Sequence, residues 1–255
     1  MDHTAISQPR QSVMGRPFSP QSTRGFTLTE LAVVLAIVAL LIGGLLMPLA
    51  EQDNLRRTAE TRKALADASE ALLGFAAAHG RLPRPATSAT NGTENDAVCA
   101  TDAACDGFIP WATLGIGKLD AWGKIIRYSV TPAYANTSFT FSTIANRKVQ
   151  TRDSAGSLSY LIGQASNCTS TNQCAPAVVF SHGKGRWGTS DDGTPLANDS
   201  TTNVDEDVNN TNPTIYISRT TTNNTLAPGG EFDDMVVWLS PNILYNRMIA
   251  AGRLP

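Results

Sequence analysis

The chain has 255 residues, of which 42% are hydrophobic and 16% are charged, and its formal net charge is −2. This length is sufficient for one globular domain with a core of its own. The slightly acidic balance offers no basic surface of the kind that binds nucleic acid, so the composition indicates no nucleic-acid partner.

An apolar run near the N-terminus is the first element. From Leu31 to Ala50, twenty consecutive residues carry no charge, and a helix of that length crosses a hydrocarbon core of about 30 Å. We therefore predict a membrane span. The alternatives are a buried core helix and a cleaved secretory signal. The signal fits poorly, because its apolar block is normally shorter and ends at a small-x-small site, whereas this run ends "MPLAEQ".

Glu30 lies immediately before this run. A carboxylate at the centre of a membrane helix costs up to about 2.5–3.5 kcal/mol and usually has a partner. Near a helix start the cost is lower, because the first N–H groups and the helix dipole favour an anion there. The residues alone leave open whether Glu30 is an N-terminal helix residue at headgroup level or has a specific partner.

The stretch "RGFTLTE", residues 24–30, resembles the processing site of the type IV pilin and type II secretion pseudopilin family. The resemblance implies that prepilin peptidase cuts after Gly25 and that Phe26 becomes the N-methylated first residue. It also implies that Glu30, the fifth mature residue, meets the amino terminus of a neighbouring subunit during assembly. The leader of residues 1–25 is long for this family, so Met14 is an alternative start to Met1.

After the apolar run the chain reads "EQDNLRRTAETRKALADASEALLGFAAAHG". Small or apolar residues recur three or four positions apart with charges between them, which predicts an amphipathic continuation of the same helix. Gly80 and Pro83 supply a stop after His79. The predicted inward positions are Leu55, Ala59, Leu65, Ala68, Leu72, Phe75 and Ala76.

The four cysteines form two C-x5-C pairs, Cys99 with Cys105 and Cys168 with Cys174. An even count at matched spacing beyond a membrane span predicts two local disulfides in an oxidising compartment. A zinc site of all four cysteines is the alternative, but zinc ligand pairs usually have shorter spacing.

Strand patterns follow at 124–130, 138–144, 177–181, 214–218 and 235–239, and they predict an antiparallel sheet packed on the second half of the long helix. Ser240 as N-cap, Pro241 at the first helical position and Gly252 at the end predict a short terminal helix.

Three further stretches resemble the turn into the first sheet strand, the C-terminal loop and the closing strand of major pseudopilins: "LDAWGKIIRYSV", "FSHGKGRWG" and "FDDMVVWLS". The resemblance implies an α+β, type IV pilin-like fold, in which a long N-terminal helix packs on an antiparallel sheet. Its domains are the leader at 1–25, a transmembrane half-helix at 26–50, an amphipathic half-helix at 51–80 and a β-rich periplasmic or extracellular domain at 81–255.

A polar insert from Gly188 to Gly230 is rich in Thr, Asn, Asp and Gly, and its simplest interpretation is a solvated, irregular loop. A calcium-stabilised loop, as in major pseudopilins, is the alternative. The early loop aspartate of that family would fall near Lys184 or Gly185, so no metal ligand is carried over. The hard oxygen ligands in and near the insert are Asp191, Asp192, Asp205, Glu206, Asp207 and Asp233.

Enzymatic activity is not expected, and no catalytic residue is assigned. Ser181 and His182 could suggest nucleophilic catalysis, but adjacent strand residues point to opposite faces and are poorly placed to share a hydrogen bond.

The sequence thus predicts a structural subunit of a type IV pilus or a type II secretion pseudopilus, most consistent with a minor one. It would insert in the inner membrane with its C-terminal domain in the periplasm, and then join a filament with other pilin or pseudopilin subunits. The alternative is a low-copy tip or adhesin-like module whose polar loop contacts a surface, a secreted substrate or DNA. Because the tip pseudopilin of this family lacks the acid, Glu30 favours a subunit with a neighbour above it. No cofactor is expected beyond the calcium alternative.

Overall fold

The computed structural model describes residues 25–185 and 187–254, without the side chains of residues 43–49. The leader residues 1–24, with Met14 among them, lie outside this part. The chain divides into two compact units, residues 1–50 and residues 51–255.

The secondary structure comprises one long helix, four short helices and nine strands within the described residues. In chain order they are α1 (Leu28–His79), β1 (Asp106–Phe108), α2 (Trp111–Leu114), β2 (Arg127–Val130), α3 (Pro132–Ala135), β3 (Lys148–Arg152), β4 (Leu158–Ile162), β5 (Ala177–Ser181), β6 (Gly188–Thr189), β7 (Pro195–Leu196), α4 (Val204–Thr211), β8 (Ile215–Ile217), β9 (Met235–Trp238) and α5 (Pro241–Ala250).

In the first unit, α1 exposes its large apolar side chains on every face. The described ones from Leu28 to Ile42 are all more than 40% exposed. No helical segment with described side chains is long and apolar enough to qualify as a membrane span. The predicted span at Leu31–Ala50 includes residues 43–49, which lie outside that set.

In the second unit, the buried side chains of α1 lie on one face of the helix. Thr61, Leu65, Ala68, Leu72 and Ala76 are fully buried, and their spacing of three and four residues places them on one helix face. Leu55 and Ala59, which the pattern also placed inside, are exposed. The helix ends at Gly80, whose φ of +79° suits a residue without a side chain and whose N–H bonds the carbonyl of Ala76.

The four-stranded sheet has the order β1-β2-β5-β9 and is antiparallel throughout. Every residue of its strand β5 is buried. Ala177 and Val179 belong to the core shared with α1 and α5, whereas Val178 and Phe180 belong to a second core. Because successive strand residues face opposite sides, this strand is covered by a layer on each face.

The second layer is a three-stranded sheet with the order β4-β3-β8, in which β3 pairs β8 in parallel. Its residues Val149 and Tyr216 pack with Val178, Phe180 and Val236. The strands expected to form one antiparallel sheet therefore lie in two sheets, and β6 and β7 form a third. The β3 sequence KVQTR and the β4 sequence LSYLI were missed as strands.

Two predictions are wrong, the strand at 138–144 and the irregular loop from Gly188 to Gly230. Residues 138–144 form a turn instead of a strand, because Thr140 and Thr143 bond each other's backbone and Phe139 is packed against Tyr134 and Tyr245. The polar insert is not irregular, since it contains β6, β7, α4 and β8.

The predicted strands at 177–181, 214–218 and 235–239 and the terminal helix are confirmed. Pro241 is at the first position of α5, and the helix closes before Gly252, where φ is +66°.

Both predicted disulfides are present, Cys99–Cys105 and Cys168–Cys174, and no cysteine is free. Each bridge closes a short loop between residues six positions apart, and the alternative of a four-cysteine zinc site does not apply.

Arg147 joins the two sheets through buried hydrogen bonds. Its side chain is completely buried and donates to Ser129 Oγ at 2.8 Å and to the carbonyl of Val130, both on β2. Its other partners are Asn146 Oδ1 and the Asp102 carboxylate, each at 2.7 Å. The guanidinium thus has full pairing where water is excluded.

We expect Arg147→Met to lower the free energy of unfolding by about 3–5 kcal/mol, because it leaves buried acceptors without their donor. Denaturant unfolding of the detergent-solubilised full chain, followed by tryptophan fluorescence, measures this. Arg247→Met is the matched control: its ion pair with Glu70 is more than half exposed on both sides, so it should cost about 1 kcal/mol or less. Equal losses in the two variants would contradict the role assigned to Arg147.

Candidate functional site

The junction between Gly25 and Phe26 is not helical and lies exposed ahead of α1. A Cβ built on Gly25 meets no atom of the described residues within 4 Å, and Phe26 is 85% exposed. The peptide bond between these residues is therefore free of the helical hydrogen bonding that protects backbone from a peptidase. This is the position at which the sequence resemblance places cleavage.

Thr27 and Glu30 form a capping box at the start of α1. The N–H of Thr27 donates to Glu30 Oε2 at 2.8 Å, and the N–H of Glu30 donates to Thr27 Oγ1 at 3.2 Å. The Thr27 hydroxyl makes a further bond to Glu30 Oε2 at 2.8 Å. Two N–H groups of the first turn are thus satisfied reciprocally, and the carboxylate is held beside Phe26.

The capping box supports part of the first interpretation of Glu30, in which it is an N-terminal helix residue. It also fixes where the charge lies, in the first turn of the helix and close in the chain to Phe26, the residue that would become the amino terminus. The two interpretations therefore do not exclude each other.

A second group of polar residues lies around the turn that precedes β2. Asp120 is buried and accepts bonds on Oδ1 from the N–H groups of Trp122 and Lys124, each at 2.9 Å. Its Oδ2 accepts the hydroxyl of Ser181 at 2.6 Å. Gly123, with φ of +80°, allows the tight turn. The DAWGK sequence is thus a turn that one carboxylate organises.

Beside this turn, Glu206, Asp233 and Asp234 form a three-carboxylate cluster, with one oxygen of each within 4.8 Å of the others. Glu206 comes from α4, and the two aspartates precede β9. The cluster can hold a hard cation or share protons.

N–H donors already bond most oxygens of this three-carboxylate cluster. Glu206 accepts the N–H of Asp233 at 2.6 Å and Asn203 Nδ2 at 2.7 Å, and Asp234 accepts Asn209 Nδ2 at 2.7 Å. The N–H of Gly185 donates to Asp233 Oδ2 at 2.5 Å. Among the described residues, Asp233 Oδ1 is buried without a hydrogen-bond partner.

Burial raises the pKa of Glu206 to about 8, and the charge of Asp234 adds to the shift. Burial and Asp234 likewise raise the pKa of Asp233. Like charges in a poorly solvated place favour the protonated form, so the cluster retains a proton near neutral pH.

The structure separates most of the six predicted calcium ligands. Asp205 is fully buried between Arg152 and Arg219, at 2.7 Å from each. Asp191 pairs with Lys118. Asp207 is exposed on α4.

Asp192 lies in the β6–β7 turn, where hydrogen bonds from Ser190 and Thr194 lower its pKa to about 2. Of the six predicted ligands, Glu206 and Asp233 are the two that lie together. The sequence analysis missed Asp234, the third residue of the cluster, although it directly follows Asp233 in the chain.

Ser181 and His182 have separate partners, as the alternation of strand residues predicted. Ser181 bonds Asp120, whereas His182 Nδ1 lies 3.3 Å from Asp234 Oδ1. Both residues are buried, and no bond joins their side chains in the described part of the chain. The arrangement does not form a nucleophile–base pair.

The raised pKa of Glu206 makes stability depend on pH. The folded state holds a proton that the unfolded chain releases above its ordinary pKa of 4.5, so stability falls as the pH rises from about 5 to 8. We expect the Tm to fall by several degrees over that range, measured by thermal melts of the full chain. Glu206→Gln should flatten the profile, and an unchanged slope would contradict this prediction.

Comparison with known proteins found one family. A family profile described as "Prokaryotic N-terminal methylation motif" matches residues 21–46. No curated protein and no solved structure matched the chain. The matched segment contains the Gly25–Phe26 junction, the Thr27–Glu30 capping box and most of the exposed apolar part of α1. The chain therefore carries the prokaryotic N-terminal methylation motif, which is the signature of type IV pilins and pseudopilins.

Proposed function

We propose that this protein is a structural subunit of a type IV pilus or a type II secretion pseudopilus. Prepilin peptidase cuts it after Gly25, Phe26 is methylated, and the subunit joins a filament through α1. The observation that carries this proposal is the coincidence of the methylation motif at residues 21–46 with an exposed, non-helical Gly25–Phe26 junction.

The exposed apolar surface of α1 supports assembly through this helix. Side chains from Leu31 to Ile42 are exposed on all faces, and an apolar helix surface of this kind needs lipid or other helices around it. In the proposed cycle the inner membrane covers it before assembly, with the C-terminal domain in the periplasm, and neighbouring pilin or pseudopilin helices cover it afterwards.

Glu30 is the proposed assembly residue. The capping box holds its carboxylate at the helix start, and cleavage after Gly25 would create an amine in each subunit at Phe26. We propose that Glu30 of one subunit pairs with the amine of the next. Removing one member of a charge pair that is shielded from water is strongly destabilising, because it leaves the other charge uncompensated.

A low-copy tip or binding module remains the second candidate function, and the polar insert would be its contact surface. The presence of Glu30 supports a subunit with a neighbour above it instead. Stoichiometry in sheared filaments separates the two, because a filament-forming subunit is abundant and a tip subunit scarce.

The proposed cleavage is tested with Gly25→Leu. A bulky side chain at the last leader position should block the peptidase, and a membrane-held precursor should accumulate. Gly74→Ala is the matched control, because Gly74 also has open space around its Cβ position but lies far from the junction along the chain. Mass spectrometry of wild-type protein showing a first residue other than methylated Phe26 would contradict the proposal.

The role of Glu30 is tested with three variants that separate capping from charge. Glu30→Val removes both, Glu30→Gln retains a hydrogen-bonding side chain without the charge, and Thr27→Val removes the capping hydroxyl but retains the charge. We expect both Glu30 variants to be inserted and cleaved but absent from filaments, whereas Thr27→Val is incorporated. Membrane level, N-terminal sequence and incorporation beside wild-type subunits are measured for each.

Normal incorporation of Glu30→Gln would show that the charge has no role in assembly. Failure of Thr27→Val together with both Glu30 variants would assign the defect to helix capping.

A further inference from the structure

Lys124 is a buried lysine at the end of the Asp120 turn, only 4% exposed. Its ammonium donates to the main-chain carbonyl of His182 at 3.1 Å and to that of Gly185. These carbonyls belong to the loop that follows β5. Lys124 therefore ties that loop to the turn before β2.

The three-carboxylate cluster holds the same loop from its own residues: the N–H of Gly185 bonds Asp233 Oδ2, and His182 Nδ1 lies 3.3 Å from Asp234 Oδ1. Burial lowers the pKa of Lys124, and the negative charges of Asp233, Asp120, Asp234 and Glu206 oppose that shift. The ammonium thus bonds two carbonyls of a loop that the carboxylates also bond, and calcium takes both kinds of oxygen as ligands.

The donor set does not suit a calcium ion as it stands. Calcium takes about 6–8 oxygen ligands at roughly 2.3–2.6 Å. N–H groups already bond the oxygens of Glu206, Asp234 and Asp233 Oδ2, which leaves each of these oxygens about one further lone-pair site for a cation. The two loop carbonyls are taken by Lys124, which leaves Asp233 Oδ1 as the one carboxylate oxygen of the cluster without a described partner.

We propose that Lys124 acts as the built-in cation of the Glu206–Asp233–Asp234 cluster, in the place where a divalent metal would otherwise hold the 182–185 loop against the segment before β9. An ammonium offers three N–H donors and one positive charge. This inference is independent of the assembly role proposed for α1.

The test compares wild type, Lys124→Met and Lys148→Met as full chains in detergent. Lys148 is the matched control, because its ammonium also donates to two loop carbonyls, those of Ala165 and Ser166, but its side chain is only partly buried and that loop carries none of the three cluster carboxylates. Each protein is melted in excess EGTA and in millimolar calcium, and titrated with terbium, whose luminescence the nearby Trp187 can sensitise.

We expect calcium to change the Tm of wild type and of Lys148→Met by less than about 1 °C, with no saturable terbium signal. Lys124→Met should melt lower in EGTA, gain about 3 °C or more in calcium, and bind one equivalent of terbium. A fall in the wild-type Tm on chelation, or one equivalent of terbium bound by wild type, would overturn the proposal.

If Lys124→Met does not fold in either condition, the double variant Lys124→Met/Asp234→Asn decides. It removes the charge of Asp234 together with that of the lysine. Recovery of a cooperative melt supports the lysine as the cation of the cluster, and no recovery overturns that role.

Discussion

The organisation of this protein depends on a change in the apolar pattern of α1. From Leu28 to Ile42 the described apolar residues lie on every face, whereas from Thr61 to Ala76 the buried residues lie on one. A helix with one apolar face can bury that face against a single sheet, but a helix that is apolar all round needs apolar partners on all sides. The same element therefore serves the core in its second part and requires lipid or other subunits in its first.

The second unit is built outward from β5, because both faces of this strand are buried. One face packs with α1 and α5 and the other with the second sheet. Buried charges are then paired where the layers meet. Arg147 bonds β2 from the start of β3, and Asp205 of α4 holds two arginines. Such pairs are costly to break and position the elements that carry them. This explains how a Thr- and Asn-rich insert becomes an ordered part of the domain.

The two polar sites of the chain differ in how much of the fold they require. The capping box at Thr27 and Glu30 is made within one helical turn, and its geometry follows from a T-x-x-E spacing. The environment of Lys124 draws on the turn before β2, the loop after β5, helix α4 and the segment before β9. A local site of the first kind keeps its geometry when neighbours change, whereas the second exists only in the folded domain.

The sequence alone determined the local features: the processing motif, the amphipathic half of α1, the strands at 177–181 and 235–239, the terminal helix and the cysteine pairs. Each depends on residues close in the chain, where spacing, capping and short-loop closure act directly. It did not reveal the second sheet, because KVQTR is mostly polar and the pairing of β3 with β8 joins residues far apart along the chain. Residues 138–144 have the pattern of a strand but form a turn. Local hydrogen bonds between Thr140 and Thr143 take the place of pairing with a neighbouring strand. The tertiary structure alone decided that Glu206, Asp233 and Asp234 meet beside Lys124, because burial and charge–charge distance depend on residues that lie far apart along the chain.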